Sequence, residues 1–298
     1  MKFEGIFPPA ITPFTKDEEV DEEKLTEYLD FLIEHGIHGI FLLGTNGEGP
    51  LLTSEEKERV IKTAVEHVNG KIPIIAGTGC TSTKETVKLS KYAEKVGADA
   101  VHIVTPYYYP VTQNGIVKHY TKIAESVEIP IIIYYIPSRT GVKLEIETLL
   151  KLAEIPNIAG IKDSSKDVIW FYNAITAVKK NRPDFIFLGG SDALIYSHLT
   201  LGANGAVSAI ANVFPEIVIQ LYEEFRKGNL TKAREIQDKV LRIRQVLKKC
   251  PYLAGIKAAL KIRGIDMGEL RSPLVFLDEN HLKILENELN SIMKGWRV

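Results

Sequence analysis

The sequence predicts an α/β protein: a (β/α)8 barrel of the TIM type with a C-terminal helical appendage. Three observations predict it. A short apolar run recurs eight times, each followed by an amphipathic stretch. The runs fall roughly 20 to 35 residues apart, the size of one βα unit. They are nearly continuous in apolar residues rather than alternating, as parallel strands covered on both faces are.

In order, the runs are 5–11, 39–43, 72–76, 100–104, 131–135, 158–161, 185–188 and 205–207. Between them Leu25, Leu29, Leu32 and Ile33 make a helical stripe. Thr53-Ser54-Glu55-Glu56 and Ser82-Thr83-Lys84-Glu85 each fit a capping box, with a hydroxyl at the cap and a glutamate three residues on. After about Phe214 the strands stop. Helical patterns follow at 215–227, 231–248 and 278–293, with a shorter one near 253–263. The expected organisation is a barrel over 1–224 and a helical region over 225–298. No Gly/Pro/Ser linker separates them, so the tail is expected to pack on the barrel.

Composition narrows the function. The chain has 298 residues, enough for one α/β barrel of about 250 and a sizeable core. A formal net charge of −1 supplies no basic excess for nucleic acid. No apolar run approaches the length of a membrane span. Met1-Lys2-Phe3-Glu4-Gly5 is not expected to be a signal peptide, because an acid and a glycine break it at once. Cys80 and Cys250 are the two cysteines, which suits a reducing, cytoplasmic setting. Neither sits in a zinc-like spacing, so no metal is expected. Helix segments laced with Glu and Lys, such as Glu55-Glu56-Lys57-Glu58-Arg59, fit either a thermophile or a solvated face.

In such a barrel the chemistry lies at the C-terminal ends of the strands. The second run ends in Gly44-Thr45-Asn46-Gly47-Glu48-Gly49, the third in Gly77-Thr78-Gly79 and the fourth in Thr105-Pro106-Tyr107-Tyr108-Tyr109. The fifth ends in Tyr134-Tyr135-Ile136-Pro137-Ser138-Arg139-Thr140-Gly141, the sixth in Lys162, the seventh in Gly189-Gly190-Ser191-Asp192. Hydroxyls, glycines, one amine and one guanidinium converge, without a cluster of histidines or carboxylates. That set suits a carbonyl substrate rather than a metal hydrolase.

Each motif has a plainer reading. The 44–49 loop matches no phosphate-binding pattern, and Thr45 and Asn46 also serve as turn caps. Gly189-Gly190-Ser191 lies where many barrels bind phosphate. The three tyrosines suit an interface or a core. Arg139 is a surface arginine by default, or a bidentate partner for a carboxylate at a site rim. Lys162 ends the apolar Ile158-Ala159-Gly160-Ile161. It either caps a strand and points to solvent, or is partly buried. Burial lowers its pKa and frees the amine to attack a carbonyl as a Schiff base.

Ala10-Ile11-Thr12-Pro13-Phe14, the 44–48 loop, Thr105-Pro106-Tyr107-Tyr108, Tyr134 with Pro137 and Thr140-Gly141, and Gly160-Ile161-Lys162-Asp163 share one order and spacing with a known family. The chain resembles the dihydrodipicolinate synthase / N-acetylneuraminate lyase family of pyruvate-dependent class I aldolases, with specific motifs from Gly5 to about Asn212. The resemblance implies that Lys162 forms the imine with pyruvate and that Tyr134 is the acid/base beside it. It implies that Thr45 and Tyr108 complete a proton relay, Tyr108 by crossing into a neighbouring subunit. Thr45 and Asn46 would grip the pyruvate carboxylate, Val207 and Gly189 would line its pocket, and Arg139 would receive a carboxylate of the second substrate. The family also implies a homotetramer built from tight dimers, and no cofactor beyond the covalent imine.

Some positions depart from the synthase pattern. Asn46 replaces the second of two threonines, as in some 2-keto-acid aldolases, and Tyr135 replaces a common asparagine. Tyr107-Tyr108-Tyr109-Pro110 is similar to archaeal sugar-acid aldolases as well as to synthases. Ser54 and Lys57 stand where lysine-inhibited synthases often carry histidines, and Glu85, at an allosteric-site position, also fits its capping box. The expected activity is condensation of pyruvate with L-aspartate 4-semialdehyde, giving 4-hydroxy-tetrahydrodipicolinate for lysine and diaminopimelate synthesis. The alternative is aldol cleavage of 2-keto-3-deoxygluconate or 4-hydroxy-2-oxoglutarate. A barrel that binds ligands without turning them over is the third reading.

Overall fold

A computed structural model describes residues 3–296. Met1 and Lys2 of the opening segment, and the last two residues, lie outside the described residues. Eight parallel strands form one sheet: β1 (Gly5–Phe7), β2 (Ile40–Leu42), β3 (Ile74–Gly77), β4 (Ala100–Val104), β5 (Ile131–Tyr135), β6 (Ile158–Asp163), β7 (Ile186–Gly189) and β8 (Gly205–Val207). Each pairs with its sequence neighbour, and β1 pairs with β8. The last gap, β1 to β2, is bridged beyond the end of β1, where Ala10 donates to the Phe41 carbonyl at 2.8 Å and Phe41 to that of Pro8 at 3.1 Å. The expected (β/α)8 barrel is therefore the observed one.

Three expected strands are shorter than their apolar runs: 39–43 loses one residue at each end, and two others are cut by proline. The run 5–11 pairs regularly only as far as Phe7, because Pro8 and Pro9 have no N–H to donate. The run 72–76 begins pairing after Pro73 for the same reason. β6 instead extends past its apolar run to include Lys162 and Asp163.

The helices are α1 (Glu22–Glu34), α2 (Ser54–Val68), α3 (Thr83–Val96), α4 (Gln113–Ala124), the single turn α5 (Pro137–Thr140), α6 (Ile146–Ala153), α7 (Val168–Lys179) and α8 (Ile195–Thr200). Their starts are written in the sequence. Thr53 accepts from the Glu56 amide while the Glu56 carboxylate accepts from the Thr53 amide, a complete capping box. Ser82 accepts from the Glu85 amide, so only half of the second predicted box forms. Four more helices follow: α9 (Pro215–Arg226), α10 (Leu230–Leu247), α11 (Tyr252–Ile262) and α12 (Glu279–Trp296). α9 lies on β1 and α10; α10 also packs on α11, α12 and the turn after β7. No helix among the described residues is long and apolar enough to cross a membrane.

The strand alternation separates two apolar regions. Phe7, Phe41, Ile75, Ala100, Ile132, Leu188 and Val207 fill the barrel interior. Their neighbours in sequence, such as Ile6, Ile131, Ile133 and Phe187, face the surrounding helices in a larger core. Interior residues one step nearer the C-terminal strand ends are polar: His102, Tyr134 and Lys162.

The loop after β2 is fastened from the far end of the chain. Glu48 has a left-handed backbone, φ +54°, and a fully buried carboxylate. Lys257 of α11, its side chain also buried, pairs with that carboxylate at 3.0 Å, and the Arg271 amide donates to it at 2.9 Å. Lys257 also donates to the Glu269 carbonyl. Thr12 donates to the Gly47 carbonyl at 2.7 Å. Arg271 continues the network to Glu56 at 2.6 Å. Truncating one partner of a buried pair leaves the other charge stranded in low dielectric. Lys257→Met should therefore lose about 3–5 kcal/mol in denaturant unfolding. A loss below about 1 kcal/mol, the level of a surface pair, would show that this pair does not hold the loop.

Candidate active site

Lys162 and Tyr134 are register partners on adjacent strands, so their side chains leave the sheet side by side into the barrel. The lysine is 4% exposed. Its Nζ lies 3.8 Å from the Tyr134 ring centroid and 5.6 Å from that of Phe41. Burial pushes the ammonium pKa down, and the Tyr134 phenol and the Asp192 carboxylate only partly oppose it. Of the two sequence readings, the solvent-facing strand cap is excluded.

The Tyr134 hydroxyl lies 3.1 Å from Thr45 Oγ1, which the 44–49 loop brings over the barrel mouth. His102 on β4 supports the tyrosine from behind, with ring centroids 5.9 Å apart. Its Nε2 meets the Leu42 carbonyl at 2.8 Å, so Nε2 carries the proton. Burial, followed by the nearby Lys162 charge, pulls its pKa down to about 3, and the ring is neutral at physiological pH. The site thus pairs an amine with a hydrogen-bonded phenol in apolar surroundings.

These groups face a cavity of about 250 Å³. Lys162, Tyr134, Thr45, Asn46, Arg139 and Val207 all line it. Asn46 is 4% exposed, and its Nδ2 has no hydrogen-bond partner among the described residues. A buried amide donor without an acceptor is costly unless a ligand supplies one. Asp192 forms another part of the wall. It accepts from Ser208 Oγ and from the Ile210 amide at 3.3 Å, while burial raises its pKa. A second cavity of about 260 Å³ lies beyond Tyr134; it shares Thr45 and Arg139 and reaches His102, Lys57 and Tyr107. Among the described residues no group of three or more His, Cys, Asp or Glu could hold a metal ion.

Two of the sequence-selected residues do not reach the main cavity within this chain. Gly189 alternates with the inward Leu188 and so faces outward; a Cβ there would lie 2.3 Å from Nδ1 of His198 on α8. The cavity wall is built by the next residue, Gly190. Assigning Gly189 to the pocket is thus corrected by one step of strand alternation. Tyr108 is 82% exposed, has φ +77°, and packs edge-on to Tyr109 at 5.0 Å. It lines neither cavity of its own chain.

Sequence reasoning missed the residues that the C-terminal helices bring to the cavity. Arg244 of α10, the adjacent Lys248 and Tyr252 of α11 all line it. The Tyr252 ring is partly exposed, yet burial of its phenol raises its pKa, and contact with Asn46 opposes the rise. Gln237 of α10 ties this helix to β7, donating to the Asp192 carbonyl at 2.9 Å and accepting from the Tyr196 amide at 2.9 Å. The four-residue spacing of 244, 248 and 252 was visible, but it is common in any charged helix.

Known proteins resemble this chain in sequence and fold. The family model described as the dihydrodipicolinate synthetase family matches residues 2–292. A DapA-like lyase of Halobacterium salinarum, itself uncharacterised, is 47% identical over 96% of this chain and 92% of its own length. A 4-hydroxy-tetrahydrodipicolinate synthase of Methanopyrus kandleri is 41% identical, covering 98% of this chain and 97% of its own. Among solved structures, the YagE prophage protein of E. coli K12 in complex with pyruvate superposes with a TM-score of 0.94. It is 33% identical and covers 98% of this chain and 99% of its own. The chain belongs to the dihydrodipicolinate synthetase family and is a lyase of the pyruvate-dependent, class I aldolase type.

Proposed function

We propose that Lys162 captures pyruvate as an imine and that the resulting enamine adds to an aldehyde. The single observation that supports this most is the buried Lys162 amine beside a phenol already hydrogen-bonded to Thr45. The lowered pKa leaves a share of the amine unprotonated to attack the ketone. Loss of water gives the iminium, which acidifies the neighbouring methyl group. Tyr134 accepts and returns protons, with Thr45 as its hydrogen-bonding partner. The pyruvate carboxylate meets the unpartnered Asn46 amide. Carbon–carbon bond formation follows, and hydrolysis of the iminium releases product and regenerates Lys162.

The aldehyde in this reading is L-aspartate 4-semialdehyde, the step feeding lysine and diaminopimelate synthesis in the cytoplasm. Arg139, exposed at the cavity rim, would take its carboxylate, and relatives at about 40% identity bear the synthase name. Asn46 supports a second reading, cleavage of 2-keto-3-deoxygluconate or 4-hydroxy-2-oxoglutarate, because its amide also suits a hydroxylated keto acid. In either case Tyr108, displayed to solvent, would complete the relay of a neighbouring copy in a dimer-of-dimers homotetramer.

Pyruvate followed by borohydride should leave one stable adduct, on Lys162, detected by mass after digestion. Trapping should persist at pH values well below the ordinary lysine range and decline only as the pH falls through the lowered pKa. An adduct on another lysine would move the chemistry elsewhere. Tyr134→Phe should reduce kcat by about 10²–10⁴-fold while Lys162 still traps pyruvate; an unchanged kcat would remove Tyr134 from proton transfer. Offered aspartate semialdehyde, glyoxylate and glyceraldehyde in turn, the enzyme should consume pyruvate fastest with the semialdehyde. Consumption of glyceraldehyde alone would select the sugar-acid reading.

A further inference from the structure

His102 is an inward residue of β4, in register with Ile132, one inward step before Tyr134 on β5. Its Nε2 donates past β3 to the Leu42 carbonyl on β2 at 2.8 Å. The imidazole passes over Gly77 of β3, where a Cβ would lie 2.8 Å from both its Cε1 and its Nε2. The bond to Leu42 therefore needs a glycine at 77 as well as an imidazole at 102. The same ring meets Tyr134 edge-on, with centroids 5.9 Å apart and planes at 77°, a favourable aromatic geometry. It also packs on Phe41 at 5.0 Å.

The two groups that His102 touches lie at the two ends of the Thr45–Tyr134 hydrogen bond. Leu42 is the last residue of β2, Leu43 then turns with φ +57°, and Thr45 follows after Gly44. A left-handed backbone at a leucine is strained and persists only where its surroundings fix it. Thr45 Oγ1 lies 3.1 Å from the Tyr134 hydroxyl, yet β2 and β5 are not neighbours, because β3 and β4 lie between them. No strand pairing sets that distance directly. An apolar side chain at 102 would fill the barrel with no nitrogen left over. The imidazole instead buries Nδ1 without a partner among the described residues, which is costly. What it adds in return is the bond to Leu42. With its pKa pulled down to about 3 by burial, the ring stays neutral and carries no proton for the reaction.

We propose that His102 is a positioning residue: by gripping the Leu42 carbonyl where the 44–49 loop departs, and by packing on the Tyr134 ring, it sets the Thr45–Tyr134 hydrogen bond for proton transfer. Gly77 belongs to the same device, as the gap through which the ring reaches β2. The role rests on the pyruvate-aldolase reading, in which Tyr134 removes a methyl proton from the imine. Lys162 is placed by the β5–β6 register, so imine capture and proton removal respond differently to a change at 102.

Two readouts separate those steps without any aldehyde. Exchange of the pyruvate methyl protons in deuterated water, followed by NMR, reads proton removal, and borohydride trapping reads imine capture. His102→Leu should slow exchange at saturating pyruvate about 10–100-fold. Trapping on Lys162, and the pyruvate concentration that gives half the maximal exchange rate, should change by no more than about twofold. In a Thr45→Val background, where the bond is already gone, His102→Leu should slow exchange by no more than about twofold further. Losses that multiply across the two substitutions overturn the proposal. So does exchange at the wild-type rate in His102→Leu, or an equal loss of trapping and exchange. His102→Phe, which keeps a ring and loses the N–H, enters the same cycle if the leucine variant does not fold. A wild-type chain that neither traps pyruvate on Lys162 nor exchanges its protons defeats the aldolase reading, and the role of His102 falls with it. A wild-type chain that does both leaves that reading in place whatever the His102 variants show.

Discussion

Keeping an amine out of water is the constraint on which this site depends. An ammonium loses its hydration on burial, and the protein can recover that cost by pairing the charge or by lowering its proton affinity. At Lys162 the nearest groups are a phenol and an aromatic ring, with Asp192 acting as a weaker counterweight. The balance leaves the pKa lowered. A carboxylate in direct contact would have restored the charge and removed the nucleophile. The fold provides this setting cheaply, because β6 carries the lysine out of an apolar strand and the β5 register places Tyr134 beside it.

The barrel alone does not finish the site. The loop bearing Thr45 and Asn46 is secured through Glu48 to Lys257 and Arg271, more than two hundred residues further along the chain. α10 fixes the strand-end turn at Asp192, and Tyr252 meets Asn46. Contacts of this kind convert a mobile loop into a rigid arrangement, which is how surface segments come to carry chemistry.

Much of this was legible in the sequence, for physical reasons that can be named. Doubly covered parallel strands must be apolar throughout, so eight such runs announce the barrel. A lysine closing one of them is conspicuous, and the tyrosine and threonine follow from the same rule that strand ends face the site. Gly189 was misplaced because a strand-end glycine carries no sign of which face it presents; only the inward Leu188 fixes it. The prolines at 8, 9 and 73 give the true strand limits, but apolar runs overrode them. Arg244, Lys248, Tyr252 and Lys257 were invisible, since tail residues reach the barrel mouth only through tertiary packing. A lysine in an apolar helix such as α11 looks the same whether its partner is water or a buried glutamate.

The walls of the cavity have two origins within one chain. Strands supply the floor, where Lys162 and Tyr134 are locked by hydrogen-bonded register, and helices α10 and α11 supply part of the upper wall. Side chains at 244, 248 and 252 can be exchanged without disturbing a strand pairing. Selectivity and reactivity can therefore drift separately: an altered upper wall offers a different welcome to the incoming molecule while the bond-making apparatus beneath stays as it was.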